Sequence, residues 1–171
     1  MNKKLYTKLY RDNPGDFNNP IYVGGYYEKT GGMPAKQFRL YGVAMSVAAA
    51  VLLVLMGSFV SVPGKAMYVA IPYVLSYVPA VMGVFAFLQA PSDDGQIRED
   101  TWHNSMEKIQ MYSVFGILLC GVSLVGGAVA CVLKQCFGMP EILFLAAAAA
   151  NTALFAVMRK LRKKQIYTLC T

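Results

Sequence analysis

Charged residues cut the chain into four long uncharged runs and three polar stretches. Residues 40–64, 66–92, 109–133 and 142–158 contain no Asp, Glu, Lys, Arg or His. A bilayer core of ~30 Å needs about 20 apolar residues in a helix, within a range of roughly 17–25. The pattern predicts four membrane-spanning helices, over about 40–62, 67–89, 110–133 and 140–158. The fourth run is short, but residues 137–140 extend it at one end and the aliphatic stem of Arg159 snorkels at the other. Pro140 followed by Glu141 marks a helix start, because Pro suits the first helical position and an acid suits the first turn. The predicted fold is an all-α, polytopic integral membrane protein, a four-transmembrane-helix bundle. Around it lie a polar tail at 1–39, an acidic loop at 91–109 and a basic tail at 159–171. Signal peptides occupy roughly the first 15–30 residues. The first run starts near residue 40, behind a long polar tail, so it reads as a retained span.

Composition supports a lipid-facing surface. The 171 residues are 56% hydrophobic and 15% charged, against roughly 45–50% and about 25% in soluble domains. A soluble domain of this size exposes too much of its surface to hide so many apolar side chains.

The formal charge of +7 raises nucleic acid as a partner, and its distribution argues against one. Residues 1–39 carry seven bases and three acids, and the tail after Met158 carries five bases and no acid. The stretch between Pro91 and Gln110 has five acids and two bases. Lys and Arg accumulate on the cytoplasmic side of membrane proteins. Fourteen of them fall on the two tails and the central loop, against Lys65 and Lys134 in the opposite turns. Four spans then place both termini and the central loop in the cytoplasm. The compact build points to the plasma membrane of a bacterium, its inner membrane. Tyr41 and Tyr112 at the inner ends and Tyr68 at an outer end sit where amphipathic rings prefer to lie.

The amino tail opens with a basic and aromatic near-repeat, Lys3-Lys4-Leu5-Tyr6 and Lys8-Leu9-Tyr10-Arg11, suited to an anionic lipid surface. Turn signals follow at Asn13-Pro14-Gly15, Asn18-Asn19-Pro20, Gly24-Gly25 and Gly31-Gly32, and predict an irregular tail. The acidic central loop offers either basic tail a docking site.

Helices in a bilayer associate by close packing and polar contacts, because lipid is as apolar as Leu. Small residues recur at Gly42, Ser46 and Ala50, at Gly116, Cys120, Ser123 and Gly127, and through the alanines 146–150. They suit packing within one bundle, or a face for another membrane protein or a second copy. Asn151 is the most polar side chain deep in a span and predicts an interhelical hydrogen bond, with a substrate contact as the alternative. Pro72 and Pro79 each remove a backbone hydrogen bond and kink the second span. Tyr73 and Tyr77 lie one turn apart between them, placed either for packing or to border a ligand cavity.

Candidate chemistry is sparse. The spans hold none of the ionisable groups that proton relays and ion-coupled transporters use. Cys131 and Cys136 form a candidate disulfide near the outer end of the third span. The lone His103, beside Glu99 and Asp100, falls short of a metal-ligand set and reads as part of a solvated loop, with Thr101 or Ser105 capping the third helix. No catalytic residue, cofactor or metal follows from any motif. Three functional readings result: a non-enzymatic accessory or scaffolding subunit of a membrane complex; a small oligomeric transporter or channel; and a membrane-embedded thiol or lipid enzyme built on His103, Cys131 and Cys136.

Overall fold

The computed structural model describes residues 9–11, 21–58, 66–135 and 137–170. Four helices are long and apolar enough to cross a membrane, and the chain is a multi-pass membrane protein built as a helical bundle. Helix α1 spans Ala35–Ser58. The second span consists of α2, Met67–Leu75, and α3, Tyr77–Leu88. The third runs through α4, Glu99–Trp102, a π-helical turn, His103–Glu107, and α5, Lys108–Lys134. Helix α6, Met139–Lys164, is the fourth.

The helices outrun the uncharged segments. Helix α1 takes in Lys36 and Arg39, and α6 continues past Met158 through five bases. Charge bars a segment from hydrocarbon but not from a helix, and cations in a last turn favour the helix dipole. The third helix likewise reaches back to Glu99, so half of the expected loop is helical. Neither Thr101 nor Ser105 caps it, contrary to the sequence expectation. The Ser105 hydroxyl donates to the Thr101 carbonyl at 2.7 Å, and the Thr101 amide donates to Asp100 at 2.7 Å.

The break in the second span follows from Pro79, which has no N–H to offer the Leu75 carbonyl one turn earlier. Ser76 occupies the break. Its amide donates to the Pro72 carbonyl at 3.0 Å, and its hydroxyl donates to the same oxygen at 2.7 Å. Ser76 thus keeps its bond to the preceding turn through the break and adds a second donor to the same carbonyl.

The bundle closes where glycine meets phenylalanine. A Cβ at Gly42 of α1 would stand 2.0 Å from the Phe87 ring of α3, and one at Gly116 of α5 would stand 2.4 Å from the Phe155 ring of α6. Both rings are fully buried. Ser46, also buried, bridges α1 to α6 through a 3.7 Å contact with the Met158 sulfur. The stripes at Gly42 and Ser46 and at Gly116, Cys120, Ser123 and Gly127 therefore face the interior.

Outside the bundle the chain makes strands where an irregular tail was expected. Strand β1, Tyr10–Arg11, pairs with β2, Ile21–Tyr22. A three-stranded antiparallel sheet has the order β4, Ile97–Arg98; β3, Tyr26–Gly31; β5, Ile166–Cys170. Tyr26 lies opposite Arg98 on one side and Cys170 on the other. Since β3 precedes α1, β4 lies between α3 and α4, and β5 follows α6, both tails and the central loop meet at one end of the bundle.

Asp94 joins this sheet to the helices. It pairs with the Lys29 ammonium of β3, and the same oxygen accepts the Ala35 amide at 2.9 Å. A carboxylate from the central loop thus caps the start of α1. The acidic loop does dock the amino tail. The Lys29 bond first, and the Ala35 amide second, hold the Asp94 carboxyl below its ordinary value of 3.8.

Two outcomes are expected. Gly116→Leu should lower the thermal midpoint in detergent by the equivalent of about 1–3 kcal/mol, the usual scale of overpacking. Phe155→Ala in the same chain should recover part of that loss, and independent, additive losses would refute the glycine–ring contact. A carboxylate with a depressed folded pKa stabilises above its unfolded value, and the effect fades as pH falls through the folded one. Stability should therefore decline on acidification below about pH 4, and Asp94→Asn should remove that part of the pH profile. An unchanged profile in Asp94→Asn would show that other carboxyls govern the decline.

Candidate functional site

Two places concentrate polar groups: the bundle interior and the sheet end of the third and fourth spans. In the interior, some hydroxyls turn back to their own helices. Ser113 donates to the Ile109 carbonyl at 2.7 Å and Thr152 to the Ala148 carbonyl at 2.8 Å. Tyr73 is an exception that ties spans together. Its hydroxyl donates to the Leu53 carbonyl of α1 at 2.8 Å and stands 3.1 Å from the Tyr77 hydroxyl. Gly57 makes the room, since a Cβ there would lie 2.2 Å from that oxygen. Tyr73 thus links the first and second spans, and Tyr77 meets it from within the second. Pro72 holds the Ser76 bonds, and buried Pro79 borders an apolar cleft of about 350 Å³ with Leu75, Tyr112 and Phe115.

Asn151 departs from its expected role. The side chain is fully buried, yet neither amide atom has a hydrogen-bond partner among the described residues. Its own face of α6 continues as Ala148 and Phe155, and the hydroxyls of Ser113 and Thr152 are spent on their own helices. A buried polar group left unbonded costs about 1–3 kcal/mol.

Cys131 is buried near the end of α5, while Cys136 lies outside the described residues, as does any bond between them. Among the described residues no group of three or more His, Cys, Asp or Glu side chains is placed to hold a metal ion.

The sheet end carries the denser cluster. Trp102 stacks on Tyr27 of β3 with ring centroids 4.6 Å apart and planes 10° apart. The Arg162 guanidinium stands 5.5 Å from the centroid of the same Trp ring, and its Nε donates to the Met106 carbonyl at 3.0 Å. Such stacking adds to a positional bond, which a flexible Lys would not supply. His103 sits between two carboxylates one turn away on either side, with Glu107 at 2.9 Å and Glu99 at 3.6 Å. The loop expected to be solvated is instead folded against the bundle. Beside these groups runs an open cleft of about 410 Å³, lined by Trp102, Glu107, Gln110, Met111, Val114, Phe115 and Arg162.

Sequence reasoning counted Arg162 only as one of five tail charges. The one available signal was the single Trp, a residue that prefers to bury its ring and keep its N–H near polar surroundings.

Replacing Asn151 with Leu, which is close in volume and carries no amide, should raise the thermal midpoint in detergent by the equivalent of about 1–3 kcal/mol. A lower midpoint would mean that the amide has a bonded partner in the folded protein.

No protein-family model, curated protein or solved structure matches the chain.

Proposed function

We propose that this protein is a non-enzymatic accessory or scaffolding subunit of a membrane assembly. The observation that carries the reading is the outward face of α6. Ala146, Ala149, Ala150 and Ala153 are all exposed there, at the depth where a lipid-facing helix ordinarily presents large side chains. The outward face of α5 is of that ordinary kind, with Phe115, Leu118, Val122 and Val125 each more than half exposed. Only small side chains let a second backbone come close, and close packing is the main source of helix association in lipid. An alanine face is therefore a place for another helix. The sheet at one end adds a folded platform beyond the membrane. On the charge pattern that platform faces the cytoplasm from a plasma membrane, in a bacterium the inner one.

A second reading, a small oligomeric transporter or channel, draws on a different observation. The unbonded amide of Asn151 is a polar group that a solute or ion inside the bundle would satisfy.

Purification from the native membrane in a mild detergent, with mass spectrometry of what stays bound, decides between them. A stoichiometric companion is expected, and Ala146→Leu with Ala150→Leu should release it without unfolding the bundle. A chain that comes out alone, or only with itself, would sink the subunit reading. The transport reading then stands or falls on solute flux into proteoliposomes and its loss in Asn151→Leu.

A further inference from the structure

We infer that the cleft at the sheet end of α5 binds one glycerophospholipid of the phosphatidylethanolamine class, with its phosphate on Arg162 and an acyl chain along Val114 and Phe115. The cleft is graded as a lipid is graded. Arg162, Glu107 and Gln110 stand at the end nearest the sheet, while Met111, Val114 and Phe115 follow further into the span. Glu107 and Phe115 lie eight positions apart on one helical face, about 12 Å at 1.5 Å per residue. That distance carries a headgroup from the interface to the start of the hydrocarbon.

The guanidinium supplies the specific contact. Its Nε is engaged by the Met106 carbonyl, and its central carbon stands 5.5 Å from the centroid of the Trp102 ring. Its two terminal nitrogens have no acceptor among the described residues. A planar donor pair that no acceptor among the described residues occupies matches the two free oxygens of a phosphodiester. Glu107 supplies the discrimination. Its carboxylate shares the cleft with Arg162, so the lining carries one charge of each sign. That pairing suits a headgroup with both a phosphate and a compact ammonium that can donate hydrogen bonds. It disfavours an anionic glycerol headgroup. Half of the Glu107 side chain remains exposed beside His103, which leaves the carboxylate reachable by an ammonium.

The test uses the full chain in a mild detergent, incubated with equimolar phosphatidylethanolamine and phosphatidylglycerol and read by native mass spectrometry. One phosphatidylethanolamine per chain should be retained in preference to phosphatidylglycerol. Arg162→Gln should lower retention about tenfold, the scale of one charged hydrogen bond. Lys160→Gln, which removes an exposed cation from the same helix, should leave retention unchanged. Glu107→Gln should erase the preference between the two lipids. Val114→Trp fills the acyl end with Arg162 intact, so it carries the test even if Arg162→Gln misfolds, and it too should lose the lipid. Equal retention of both lipids by the unaltered protein would overturn the inference. So would retention by Val114→Trp, an equal loss in Lys160→Gln and Arg162→Gln, or displacement of the lipid by excess inorganic phosphate.

Discussion

Lipid competes for apolar surface on equal terms, so this bundle cannot be held together by greasiness. What holds it is distance. Phe87 reaches the backbone of α1 only because position 42 has no side chain, and Phe155 reaches α5 only because position 116 has none. Each ring then gains dispersion contacts that a lipid tail, mobile and loosely packed, would not match. The other interhelical features depend on that approach. Ser46 can touch Met158, and Tyr73 can reach the Leu53 carbonyl, because the helices already lie close. The same logic explains why most interior hydroxyls bond to their own helices: the closeness comes from shape, and cross-bonds are secondary.

The polar end is organised by a different force. Beyond the lipid, backbone groups can pair freely, and three short segments far apart in sequence do so as one sheet. Asp94 links the two regimes, because one of its oxygens serves both the Lys29 ammonium of the sheet and the first amide of α1. Tyr27, Trp102 and Arg162 make a second link, a stack running from the sheet into the fourth span. The bundle end is thus a folded layer built from amphipathic rings and cations, residue types that suit the headgroup region.

The spans were legible because their signal is local: a run without charge, Pro140 and Glu141 at a start, bases at an end. The inward stripes were legible for the same reason, since spacing alone puts Gly116 and Cys120 on one face. The sheet was not. Its strands are two to six residues long, and the partners of Tyr26 lie 72 residues away at Arg98 and 144 away at Cys170. Hindsight finds β-favouring residues in Ile166-Tyr167-Thr168-Leu169, but nothing in that tetrapeptide names Tyr26–Gly31 as its mate. Asn151 misled for an opposite reason. Its type predicts a bond, whereas whether a partner stands within reach is settled by neighbours on other helices. Arg162 was hidden in a crowd, identical in sequence terms to its basic neighbours until Trp102 and the Met106 carbonyl single it out.

The order of the three strands along the chain has a consequence for biogenesis. Strand β3 sits in the middle of the sheet, yet it leaves the ribosome first, and its longer partner β5 leaves after all four spans. Throughout insertion the nascent protein carries β3 with one edge open, and an open edge is a template for pairing with a stranger. Arrival of residues 166–170 covers that edge and fastens the segment after the fourth span to the segment before the first. A chain stalled or clipped before that point keeps the edge on display, a strand with half of its hydrogen-bonding groups unanswered.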